Sequence, residues 1–116
     1  MTTFRTTTRI GPFYVGEVPE QLEITFEDAD GNVFDLTGYT VDFAIEIIDG
    51  DASTGIGNGD SALTTAASGV TTYTWSSDDL LVEGMYRGQM WATNGAQRLA
   101  SEMYEWFVTR GTSPNL

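Results

Sequence analysis

Apolar and polar residues alternate along several short runs of this chain. The most regular is Val41, Phe43, Ile45 and Ile47, separated by Asp42, Ala44 and Glu46. A repeat of two puts alternate side chains on opposite faces, so the run predicts a strand with one buried face. It is the strand around which the others are organised. Upstream, Leu22, Ile24 and Phe26 alternate with Glu23, Thr25 and Glu27 in the same way. Between the two, Asp30-Gly31-Asn32 tolerates left-handed backbone and predicts a reversing turn. A short strand through Val33, Phe34 and Leu36 follows, broken by Thr37-Gly38.

Away from this centre the pattern is weaker. Thr2 to Ile10 is rich in threonine and reads as extended. Gly11-Pro12 interrupts it, and Phe13-Tyr14-Val15 forms a short apolar patch. Asp49 to Ser61 is glycine-rich, acidic and without period, which predicts a long mobile hairpin loop. A weak strand over Leu63–Ala67, a turn at Ser68-Gly69 and a strand over Val70–Trp75 come next. Ser76 to Leu81 has the composition of one capped helical turn.

The last third predicts a hairpin. Met85–Thr93 and Ala96–Thr109 flank Asn94-Gly95, which suits a two-residue type I′ turn. Opposed residue numbers then total 189. Met90 faces Leu99, Gly88 faces Ser101 and Tyr86 faces Met103 on the core side. Trp91 faces Arg98 as a cation–π pair and Arg87 faces Glu102 as an ion pair, each about 0.2–1 kcal/mol when exposed. Strict alternation from Met103 would bury Glu105 and expose Trp106 and Val108. A bulge within Ser101–Tyr104 is therefore expected to switch the faces.

Seven or eight short strands with almost no helix predict an all-β fold, an immunoglobulin-like antiparallel β-sandwich, with a small β-barrel as the alternative. At 116 residues the chain is one domain. The expected organisation is an N-terminal arm over 1–11, the sandwich over 12–110 and a tail over 111–116. Without cysteine there are no disulfides. No apolar run is long enough for a membrane-spanning helix, and the N-terminus lacks the apolar centre of a signal peptide. The expected compartment is the cytoplasm of the cell that makes the chain.

Charge narrows the function classes. The net charge is −12, and all five cations are arginine: Arg5, Arg9, Arg87, Arg98 and Arg110. So acidic a body repels phosphate backbones, and nucleic-acid binding is not expected. Arg5 and Arg9 precede the first carboxylate, Glu17. That asymmetry fits either an ordinary first strand or an arm that docks on the acidic body of a neighbouring subunit. Without histidine, cysteine or lysine, the common nucleophile–base arrangements are absent, and no enzyme is expected. The carboxylate neighbours Asp78-Asp79 and Glu102/Glu105 read as solvated surface charge. Asp28-x-Asp30-Gly31-Asn32 echoes part of a calcium loop, but its glycine comes too early and Tyr39 stands where the closing glutamate belongs. No metal, cofactor or catalytic residue is expected. Trp91, with Gln89, Arg87, Arg98 and Tyr104, reads either as an exposed protein-binding stripe or as a covered face. A sugar platform is the alternative use of Trp91.

From Leu22 to Val108 the order of features resembles a family. Leu22-Glu23-Ile24-Thr25-Phe26 leads to Asp28-Ala29-Asp30-Gly31-Asn32, then to Asp35-Leu36-Thr37-Gly38-Tyr39-Thr40-Val41. Gly69-Val70, Tyr73, Trp75, Gly84-Met85-Tyr86 and Gly88-Gln89 follow. The chain resembles the immunoglobulin-like N-terminal module of phage baseplate upper proteins, also met as small stand-alone tailed-phage proteins. The resemblance implies a virion structural protein, made in the host cytoplasm, that docks one particle component onto another. The implied partners are other virion structural proteins and further copies of the chain, with neither nucleic acid nor membrane. It implies head decoration, a head–tail junction or a tail or baseplate accessory, and no catalytic residues. The expected contact residues are Arg5, Arg9, Arg87, Trp91 and Arg98; a carbohydrate-binding module on the virion surface is the alternative.

Overall fold

The computed structural model describes residues 7–48 and 55–111. In chain order the strands are β1 (Thr7–Arg9), β2 (Phe13–Tyr14), β3 (Leu22–Thr25), β4 (Thr40–Ile47), β5 (Gly55–Ile56), β6 (Asp60–Thr65), β7 (Val70–Thr74), β8 (Gly84–Asn94), β9 (Gln97–Ala100) and β10 (Met103–Thr109). One sheet runs β1-β10-β8-β4-β5, with β2 also on β10 and β9 also on β8; the other runs β3-β7-β6. This division of strands is that of an immunoglobulin-like sandwich. The pairs are antiparallel except that β1 and β2 run parallel to β10. Thr7–Arg9, assigned from sequence to an arm, is thus a strand of the domain's own sheet.

Alternation works as expected on the organising strand. Phe43 is fully buried at the middle of β4, while Asp42 points outward. The Phe43 ring stacks on Trp106 at 6.2 Å and meets Tyr73 at 4.5 Å; Tyr86 stacks on the other side of the cluster, 5.8 Å from Trp106. Trp75 meets Phe43, Tyr73 and Trp106 edge-on. Gly88 on β8 makes this possible: a Cβ there would sit 2.5 Å from Phe43 Cζ and 2.7 Å from Trp106 Cη2. The glycine is a hole filled by two rings. The indole N–H of Trp106 is buried with no hydrogen-bond partner among the described residues, a cost of about 1–3 kcal/mol that ring packing must offset. Tyr86 stands two residues before Gly88, and its hydroxyl donates to Val82 O at 2.6 Å. That is the tyrosine corner of immunoglobulin-like domains.

The link from β3 to β4 is built on two turns, each closed by an aspartate side chain. Asp28 Oδ1 accepts the N–H groups of Asp30 (2.9 Å) and Asn32 (3.0 Å) and closes the reversing turn. Asp35 Oδ1 accepts from the Thr37 N–H (2.9 Å) and hydroxyl (2.6 Å), and Leu36 beside it is fully buried. Hydrogen bonding to the charged form lowers the Asp35 pKa. The strand expected over Val33–Leu36 is only one bridge, Glu27 with Val33; past it Leu36 donates its N–H to Ala66 O in the link between β6 and β7. Residues 77–80 form a turn, not a helix. Part of the loop expected over 49–61 is strand, at Gly55–Ile56 and from Asp60 onward; residues 49–54 lie outside the described residues.

The last hairpin corrects one expectation and meets another. Its loop is Gly95-Ala96, with Asn94 paired to Gln97, so opposed numbers total 191 and not 189. Gly95 has φ 56 and no non-glycine residue described has positive φ, which fits glycine first in a type II′ turn and not a type I′ turn led by Asn94. Trp91 consequently faces Ala100, and Thr93 faces Arg98. Beyond the hairpin, Tyr104 faces Gly88 and Glu105 faces Arg87, a total of 192. One extra residue therefore lies between the two registers, the bulge expected within Ser101–Tyr104. It returns Trp106 and Val108 to the core. A total of 189 would have needed three extra residues to reach the same β8–β10 packing. Ser101, buried at the bulge, stitches it: its hydroxyl accepts the Met90 N–H (3.0 Å) and donates to Glu102 O (2.8 Å).

Candidate functional site: the outer face of the larger sheet

The residues that alternate with the aromatic core form the outer face of the seven-stranded sheet. Strand pairing sets them in rows across the strands. In one row Arg9, Glu105, Arg87 and Glu46 stand in register on β1, β10, β8 and β4. Arg9 reaches Glu105 at 3.4 Å, and Arg87 Nε donates to Glu46 Oε1 at 2.7 Å. The signs alternate plus, minus, plus, minus. On one side of this row lie Phe107 and Met85, paired to each other, and Ile48, whose N–H donates to Met85 O. Phe107 and Ile48 are exposed, at 43% and 42%. On the other side come Gln89 with Ala44, then Trp91 with Asp42 and Ala100, then Thr93 with Thr40 and Arg98.

The structure thus brings Arg9, Arg87, Trp91 and Arg98 to one sheet face, while Arg5 lies outside the described residues. The partners differ from those expected. Arg87 pairs with Glu46 on β4, and on its other side the shifted register sets Glu105, not Glu102, opposite it on β10. Trp91 is half-buried against its own sheet and opposite Ala100, so the cation–π pair with Arg98 does not form. Arg98 is exposed at the hairpin end and makes no ion pair with a described residue. Tyr104 leaves the stripe altogether: the bulge turns it inward, buried beside Gly88. Its hydroxyl donates to Glu102 Oε1 at 2.9 Å, and burial together with that carboxylate pushes its pKa well above the usual phenol value. Arg9, proposed from sequence as an arm cation, is matched by a carboxylate of its own chain.

The carboxylate neighbours have different fates. Asp78 is exposed, as expected. Asp79 is not surface charge: it is 7% exposed and accepts three hydrogen bonds. Oδ2 takes the Tyr73 hydroxyl (2.5 Å) and the Ser76 N–H (2.8 Å), and Oδ1 takes the Asn58 N–H (2.8 Å). Tyr73 O–H also accepts the Gly59 N–H at 2.9 Å. Burial first, then the bond to Asp79, pushes the Tyr73 phenol well above its usual pKa. The pair clasps the 57–60 segment onto the turn after β7. Every lone pair it uses points at the chain's own donors, which suits a structural clasp. The only sequence signal for it is Ser76-x-x-Asp79 after an aromatic strand, a pattern too common to identify a buried carboxylate.

Glu102 accepts the Thr8 hydroxyl (3.1 Å) as well as Tyr104, while Glu105 faces Arg9 and Arg87. Neither acts as a carboxylate pair with the other. In Asp28–Asn32, Asp28 Oδ1 is taken up by the turn's own N–H groups, and no group of three metal-ligating side chains occurs among the described residues. In comparisons with known proteins, the sequence matches no family model and no curated protein.

Proposed function

We propose that this chain is a bacteriophage virion structural protein that works by protein–protein contact, at the head surface, the head–tail junction or the tail or baseplate. The observation that carries the contact reading is the outer face of the larger sheet: Arg87, Trp91, Arg98, Ile48 and Phe107 sit on one broad surface of a rigid sandwich. Tryptophan, arginine and aromatic residues on such a face are the types that dominate protein interfaces. The phage reading rests on the resemblance of residues 22–108. The motif residues that carry it, Asp35 to Tyr39 and Gly84 to Tyr86, hold the sandwich together, so docking falls to the outer face.

The test is particle biochemistry. Purified phage particles from the source genome should contain the chain in fixed stoichiometry, and cross-linking should connect the outer face to a neighbouring virion protein. Particles that assemble without the chain bound would overturn the reading.

A further inference from the structure

The outer-face ladder has a symmetry property of its own. Read from β1 to β4 its charges are Arg9 plus, Glu105 minus, Arg87 plus, Glu46 minus. Read in the opposite direction, every sign is inverted. A second copy laid face to face, related by a two-fold axis along the strands between β10 and β8, presents the ladder reversed. Arg9 then meets Glu46 of the second copy, and Glu105 meets Arg87 of the second copy, twice each. The same operation sets Phe107 against Met85 of the second copy. It also sets the large Trp91 against the small Ala100 of the second copy, because these residues are neighbours across the same axis. A two-fold axis across the strands would instead oppose each charge to itself.

We propose that the outer face of the larger sheet is a homodimer interface, with the two sheets aligned and the ladder as its register. This deepens the contact reading and rests on that face being the docking surface. Charge argues for a second copy. The chain as a whole is −12, so most of its surface repels another copy. The ladder is the place where two cations and two carboxylates balance in an order complementary to itself, as an isologous interface requires. The pairs stay partly exposed, with side-chain exposures of 64% and 29% for Arg9 and Glu105 and 44% and 39% for Arg87 and Glu46. The ladder therefore sets register and excludes wrong packings, while Trp91, Phe107 and Met85 supply the apolar contact. The face is small, about 14 Å across the four ladder strands, so the dimer is a weak one.

The test is solution mass by light scattering from about 10 μM to 1 mM, in about 0.15 M salt to screen the long-range repulsion. The native chain should rise from 12.7 kDa toward twice that value. Arg87→Glu opposes Glu105 of the second copy with a like charge and should hold the chain at the monomer mass across the range. Arg87→Glu with Glu105→Arg keeps the ladder antisymmetric and should restore the dimer. Within one chain the double variant sets Arg9 beside a new cation and Glu46 beside a new anion, so recovery would not come from a better fold. A native chain monomeric to about 1 mM overturns the dimer, leaving the face to another particle protein, which cross-linking in the virion reads separately. A dimer that ignores Arg87→Glu, or a folded double variant that stays monomeric, overturns it as well.

Discussion

The two faces of the larger sheet come from the same strands and follow different rules. On the inner face β4, β8 and β10 contribute Phe43, Gly88 and Trp106, and shape decides: two rings close over a missing Cβ. On the same three strands, at positions of the opposite parity, the outer face carries Glu46, Arg87 and Glu105 in register, and sign decides. The inner positions are buried and the outer ones stay wet. A sheet with one dry face therefore keeps its packing residues and its charged residues separate, alternating along single strands. Substitutions should separate the two faces cleanly.

The largest effect should come from the inner face. Trp106→Ala removes the ring at the centre of the aromatic cluster and should lower stability by about 3–5 kcal/mol, read from the urea midpoint with the slope unchanged. Asp79→Ala leaves the Tyr73 hydroxyl and the Asn58 and Ser76 N–H groups without their acceptor and should cost roughly 2–3 kcal/mol. Gly88→Ala should cost about 1–3 kcal/mol, since the new Cβ must displace the Phe43 and Trp106 rings.

Alkali gives a reading of the same region. Tyr73, Tyr86 and Tyr104 all have pKa values raised above 10.0, with burial the first cause in each. In the folded chain they hold their protons where the unfolded chain releases them. Stability from this source is complete below pH 10 and falls as pH rises above it. Spectrophotometric titration should show these three phenols ionising late, and together with unfolding. Early, reversible ionisation of all of them in a folded chain would contradict the packing.

The smallest effect belongs to the outer face. Arg87→Ala, measured at a concentration where the chain is monomeric, should change stability by less than about 1 kcal/mol, because its pair with Glu46 is exposed. A loss as large as that from Gly88→Ala would erase the contrast between the faces.

Local chemistry alone settles much of this protein. Period-two runs decide which side chains of β3, β4 and β8 face inward, because a strand has only two faces. The bulge near Ser101 is legible for the same reason: Glu105 and Trp106 cannot both sit correctly without one extra residue. The turns at Asp30-Gly31 and Thr37-Gly38 follow from backbone conformations that glycine permits. Which strands are neighbours is decided only in three dimensions. The hairpin register yields to the packing of Tyr104 and Trp106 against β8, which outweighs the local preference of Asn94-Gly95. Asp79 is buried because Tyr73, Ser76 and the 57–60 segment converge on it, and nothing beside it in sequence announces that. The ladder joins Arg9 to residues 37 to 96 positions away, and its order of signs exists only once β1, β10, β8 and β4 lie side by side.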